Sequence, residues 1–334
     1  MRRWLEQYRS QRRLEATDTE LDMQPIHRVI VAAGAAALVA ASATAQEPSG
    51  ADGREGGAAH RAAAAAPIPA QSRISLLPAD DLFRPLIADP KESTLFASML
   101  GGSSDTRGSR TGSVGVGASV PIVRWTGPGP GDGLEFGLAG GVFAQFDLTR
   151  KSHDLINADY VIGLPISFRR GPYAVRFRAY HQSSHLGDEF VENRDADRLN
   201  LSFESLELLV ARDFGPVRGY GGGEYRFNRN PQDSLAHGVL HAGVEYRYPV
   251  PLVRIGSWGA LRPVVALDAQ SFEYRDWRIG WSGRAGVELG PLTEVGRAGR
   301  TVSFLFEVYD GPNPYGQFFA EDVTSVGFGA HFTY

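Results

Sequence analysis

The sequence predicts an all-β protein, an antiparallel transmembrane β-barrel of about 12 strands. Three observations carry this. The chain closes on V-G-F-G-A-H-F-T-Y, where Val326, Phe328, Ala330, Phe332 and Tyr334 share one strand face and Ser325, Gly327, Gly329, His331 and Thr333 share the other. Such a two-residue period, ending on an aromatic residue, is the pattern of a closing strand in a membrane barrel. The same period recurs from Thr94 onward, broken by turn residues. Outside the N-terminal region no run approaches the roughly 20 apolar residues of a membrane helix. A mean hydropathy of -0.21 suits strands whose two faces average out.

Composition narrows the chemistry. The 334 residues include 0 cysteines, so disulfide and thiolate chemistry are excluded. A net charge of -4 argues against nucleic acid as a partner.

Residues 1–22 are charged and lack an apolar stretch, and Met23 is the better start. His27 and Arg28 then form a basic region, Val29 to Ala40 an apolar one, and Ala43-Thr44-Ala45 a small-x-small cleavage site. The expectation is a misannotated extension over 1–22 and a signal peptide over 23–45, cleaved near Ala45. Residues 46–75, rich in Ala, Gly and Pro, read as a linker. Residues 76–93 (L-L-P-A-D-D-L-F-R-P-L-I-A-D-P-K-E within them) are apolar but aperiodic. Leu82, Phe83, Leu86 and Ile87 call for burial, so this segment is expected to pack at the periplasmic mouth of a barrel formed by 94–334.

The strands follow in order, near 94–100, 110–124, 134–148, 156–169, 173–185, 199–213, 217–228, 236–248, 262–273, 277–289, 301–310 and 323–334. Leu134, Phe136, Leu138, Val142 and Phe146 oppose Glu135, Gln145 and Asp147. Tyr160, Ile162, Leu164, Ile166 and Phe168 oppose Asp159, Ser167 and Arg169. Leu240, Ala242, Val244 and Tyr246 oppose His241, Glu245 and Arg247. Both signs of charge on the polar faces fit a polar lumen inside an apolar wall. Arg176, Arg178, Arg218, Glu224, Arg226, Glu245, Arg247, Asp268, Arg284, Glu288 and Glu307 fall on the lumen side, and their pairing favours a filled interior over a wide channel. An even strand count puts both termini on the periplasmic side. R-R-G-P and D-F-G-P then form tight periplasmic turns, while Pro249 to Arg262 is long for that side.

One constellation suggests chemistry. In the fifth strand, Tyr173, Val175, Phe177 and Ala179 are lipid-facing, and the alternation carries His181, Ser183 and His185 onto the same outer face. A His and a Ser two apart on a strand stand side by side, the arrangement in which the imidazole can deprotonate the hydroxyl. On the next strand Asn200, Ser202 and Glu204 share a face with Leu206 and Leu208, with Glu204 near the height of His181 unless a β-bulge shifts the register. Interface polarity alone would also explain His181 and Ser183. His185, Asp188 and Glu189 raise a metal site in the loop, for which a solvated loop is the simpler reading.

The segments F-A-Q-F-D, D-L-I-N-A-D-Y, Y-H-Q-S-S-H-L-G-D-E-F, Y-G-G-G-E-Y and Y-D-G-P-N-P-Y-G-Q-F, with the Leu76 segment, resemble an uncharacterised bacterial outer-membrane family, domain of unknown function 1207. The resemblance runs from Leu76 to Tyr334 and implies an envelope barrel without naming an activity. Locally, His181-Gln182-Ser183 resembles the H-Q-S core of outer-membrane phospholipase A and, more loosely, the His-x-Ser of lipid A deacylases. That resemblance implies His181 as general base, Ser183 as nucleophile, and Asn200 or Glu204 as the group that orients the imidazole. Ser184 stands where an Asn usually follows the Ser, and the loop to the next strand is longer.

Two functions follow as expectations. One is a serine acyl hydrolase acting on membrane lipid, phospholipid or lipopolysaccharide, with no cofactor and no bound metal. The other is a non-enzymatic barrel, a narrow channel or an envelope scaffold; a soluble lipocalin-like binder is a distant third. The expected location is the outer membrane, and the C-terminal strand implies the barrel-assembly machinery as a partner.

Overall fold

Each polar–apolar alternation in the sequence resolves into a strand with one face outward and one inward. A computed structural model describes residues 74–104, 110–194, 199–232, 234–256, 259–291 and 300–333. The extension, the signal peptide and nearly all of the linker fall outside these. The strands are β1 (Ile74–Leu76), β2 (Leu95–Ser104), β3 (Arg110–Thr126), β4 (Gly133–Asp147), β5 (Leu155–Arg170), β6 (Tyr173–Leu186), β7 (Leu201–Phe214), β8 (Val217–Asn230), β9 (Gly238–Arg247), β10 (Val253–Ile255), β11 (Gly259–Phe272), β12 (Arg278–Gly290), β13 (Thr301–Pro312) and β14 (Asp322–Thr333). A short helix, α1 (Asp188–Arg194), joins β6 to β7.

Every pairing is antiparallel, and β14 pairs with β2, with Phe328 opposite Met99. This closes β2 to β9 and β11 to β14 into a twelve-strand barrel. The short strands add at its edges, β1 on β3 and β10 on β11. The long 249–262 connection thus contains a small hairpin of its own. Tight turns at 171–172 and 215–216 mark one end of the barrel, and α1 and the longer loops mark the other. We call these the turn end and the loop end. Outside, Leu138, Ile162, Leu208, Leu240, Phe304 and Phe328 form an exposed apolar belt.

The lumen is filled. Arg176 lies 3.0 Å from Glu207, and Arg178 lies 2.6 Å from the same carboxylate. Arg218 and Arg247 converge on Glu245 at 3.4 and 3.0 Å, and Arg226 meets Glu224 at 2.5 Å. Buried charges of this kind persist only in pairs or networks, because an unpaired one would face a large desolvation cost.

The segment before β2 packs at the mouth of the turn end and runs on through this network. It enters at the turn end, where Asp80 meets Arg124 at 2.7 Å. It climbs until Lys91 bonds Asp159, and returns through Glu92, 2.9 Å from Arg176. An aperiodic chain inside a barrel needs partners for its own amides, and the lumen charges supply them. Glu245 accepts from the Ile87 N–H at 2.8 Å; Arg169 donates to the Leu82 carbonyl at 3.0 Å, Arg218 to that of Arg84 at 3.0 Å, and Arg284 to that of Ile87 at 2.6 Å. Phe83 and Leu86 bury against Ala174, Leu209, Ala211 and Tyr220. The first half of the segment thus lies at the turn-end mouth, and its second half reaches farther, into the lumen, because its later partners lie on distant strands.

At the loop end the cap is apolar. Phe190 of α1, with Tyr315 and Phe318 of the β13–β14 loop, packs on Phe96, Phe143 and Ile156. Beside them Leu201 and Phe203 point inward onto Leu235 and Phe319.

Candidate functional site

β6 alternates as its sequence demands. Arg176, Arg178, Gln182 and Ser184 are buried inside, while Phe177, His181 and Ser183 lie on the outer side. The pairing sets His181 between Ile162 and Glu204, and Ser183 between Tyr160 and Ser202. A register shift lies between Ser202 and Glu204, where β8 carries the extra residue, with Asn228 at φ 44°. β7 keeps its own alternation, so Leu201 and Phe203 go in and Ser202 and Glu204 go out.

The His181 Nδ1 and the Glu204 Oε1 are 3.2 Å apart, with side chains 44% and 37% exposed. A neutral imidazole donating from Nδ1 to this carboxylate leaves Nε2 as the free base, the tautomer that proton abstraction requires. Ser183 stands one alternation nearer the loop end on the same face. Ser183, His181, Tyr160 and Ile162 line a groove of about 640 Å3 on the wall, continued by Val116 and Val142. The structure thus brings Glu204 to His181. Asn200 precedes β7, exposed, beyond Ser202 and away from the imidazole. His185 lies edge-on to Tyr160 with ring centroids 5.8 Å apart. Asp188 and Glu189 begin α1, and among the described residues no three His, Asp or Glu side chains gather as a metal site.

Behind this wall is a hub that sequence reasoning missed. Ser184, fully buried, turns inward and bonds Asp159, its cross-strand neighbour. Asp159 also accepts from Asn157 at 3.2 Å, from the Gly316 N–H at 3.0 Å and from Lys91. Gln317 donates its backbone N–H to the Ser184 hydroxyl at 3.1 Å and its amide to the Ser184 carbonyl at 2.6 Å. A Cβ on Gly316 would stand 2.7 Å from that of Ser184, so only glycine permits this approach. Lys91 lies 4.6 Å from the Phe143 ring centre and 4.7 Å from that of Tyr315. The upper end of β6 is therefore tied to the luminal segment and to the cap. Inward alternation from Tyr160 marked Asp159 as luminal; nothing local marked its partners.

Outer membrane phospholipase A from Escherichia coli is similar in structure, with a TM-score of 0.50 at 13% identity, covering 75% of this chain and 93% of that one. The calcium-bound dimer of the Salmonella typhi outer membrane phospholipase gives 0.49 at 12% identity, covering 72% and 90%. At such identity the likeness concerns the fold, an outer-membrane-type barrel. No curated protein matches the sequence. The family described as "Protein of unknown function (DUF1207)" matches over residues 6–334, and the chain belongs to that family.

Proposed function

We propose that this protein is an integral outer-membrane barrel that hydrolyses acyl esters of membrane lipid on its outer wall, with the loop end outside the cell. The observation that carries the reading is the His181–Glu204 pair on an apolar wall, with Ser183 beside it on the same face. Polar side chains on a lipid-facing surface are costly, so His181, Glu204 and Ser183 on neighbouring rungs of one outer face need a use. His181 Nε2 takes the Ser183 proton as Oγ attacks the ester carbonyl, and the imidazolium then protonates the leaving lysolipid alcohol. Water, deprotonated by the same imidazole, releases the fatty acid and restores Ser183. Glu204 holds the tautomer and offsets the imidazolium charge. The groove beside Ser183 offers the acyl chain an apolar bed.

The test is fatty-acid release from phospholipid or lipid A in mixed micelles. Wild type should release it; Ser183→Ala and His181→Ala should not, while still migrating as folded barrels. A wild-type protein silent on every lipid tested refutes the reading. The filled lumen favours a second reading, a closed envelope scaffold, and opposes a channel. Folded protein with neither hydrolysis nor conductance would establish the scaffold.

A further inference from the structure

A second groove, of about 1170 Å3, lies on another stretch of the outer wall, across β12, β13, β14, β2 and β3. Its walls are Met99, Phe304, Phe306 and Phe328, and its floor includes Ala97 and Ala330. The alternation of β3 carries the outward face up through Val114 and Gly112 to Arg110 at the loop-end rim. Leu148, just past β4, folds over this rim; a Cβ on Gly112 would touch its side chain at 3.2 Å. The loop it opens therefore overhangs the wall, and carries Arg150, Lys151 and His153, all exposed.

The charge on this lip is unbalanced. Backbone hydrogen bonds from Arg150 to Asp147 and from His153 to Arg150 fold the loop tightly, and His153 sits at φ 52°. Its two carboxylates turn away: Asp147 binds Thr149 and, at 3.2 Å, Arg194, while Asp154 binds Ser152 and, at 2.8 Å, Asn193. Among the described residues, Arg110, Arg150, Lys151 and His153 have no ion-pair partner. Cations that no carboxylate among the described residues neutralises, on a lip above an apolar trough at the membrane rim, complement an amphiphile with a negative head.

We propose that this groove is a binding site for a multiply phosphorylated glycolipid of the outer leaflet. Its acyl chains lie along Met99, Phe304 and Phe328, and its phosphates are held by Arg110, Arg150 and Lys151, with His153 and Arg110 closing the top of the groove. Three permanent cations favour a head with several negative charges over a single phosphodiester. The site is separate from His181 and Ser183, and its failure would leave the hydrolase reading intact.

The probe is diphosphoryl lipid A, compared with phosphatidylglycerol and phosphatidylethanolamine, added to the detergent-folded full chain and read by native mass spectrometry. Wild type should retain one lipid A per chain in preference to either phospholipid. Arg150→Ser with Lys151→Ser, both in an exposed loop, should weaken retention by about 30-fold. Ala330→Trp, which fills the trough and leaves the cations, should also abolish it. Equal retention of all three lipids, or retention indifferent to the two loop charges in a folded variant, would overturn the proposal. If Ala330→Trp fails to fold, the loop variant alone decides.

Discussion

Replacing Lys91 with Met keeps an apolar stem beside Phe143 and Tyr315 and deletes the charge that neutralises Asp159. Asp159 is fully buried, and stranding a buried carboxylate costs about 3–5 kcal/mol. The lower end applies, because donors from Asn157, Ser184 and Gly316 remain. Losing the two cation–π contacts adds about 0.5–1 kcal/mol each. Together these approach about 4 kcal/mol, or roughly 10 °C in unfolding temperature for a chain this size. The assay is loss of compact migration in detergent against temperature at one heating rate. Asp159→Asn alone should also destabilise, since it leaves the ammonium unneutralised. The double variant, with neither charge, should recover about 2 kcal/mol relative to the sum of the singles. If Lys91→Met unfolds within about 2 °C of wild type, or the two losses simply add, the lock between luminal segment and wall is refuted.

Three further outcomes follow. Burial first, then the carboxylates of Glu135 and Glu92, push Asp81 at the turn end up to about 8. A raised folded-state value means stability is full below the ordinary carboxylate value and is lost as pH rises through about 8, by roughly 1.4 kcal/mol per pH unit. Between pH 6 and pH 8 wild type should therefore weaken more steeply than Asp81→Asn, and parallel curves would contradict this. Planar bilayers holding wild-type protein should stay silent, and deleting residues 77–90 should either open conductance or prevent folding; an open wild-type pore would contradict the filled lumen. Glu204→Gln should keep the fold and lower fatty-acid release by about 10²-fold or more, and an unchanged rate would remove Glu204 from the chemistry.

How much was legible in the sequence depends on how local the cause was. Wall strands are patterned residue by residue, since each side chain meets either lipid or lumen, so Leu240–His241 or Phe306–Glu307 declare their faces unaided. The twelve strands and their parity followed from this. The approach of Glu204 to His181 required only that β7 keep its alternation, and the bulge fell on β8 instead. The luminal segment was not legible in the same way. Its residues 77–94 have no period, and their partners, Glu135, Asp213, Glu245, Gln270 and Arg284, come from five different strands. The inward turn of Leu201 and Phe203, awkward for a polar lumen, makes sense only once Leu235 and Phe319 from two loops are seen to cover them.

An activated Ser183 nucleophile on the outer wall would reveal itself by covalent labelling. Folded protein in lipid-containing micelles is treated with a long-chain alkyl fluorophosphonate and its peptides are mapped by mass spectrometry. One phosphonyl adduct is expected, on Ser183, absent in His181→Ala and slowed in Glu204→Gln. Folded wild-type protein that takes up no label at Ser183, or labels equally well in His181→Ala, would contradict it.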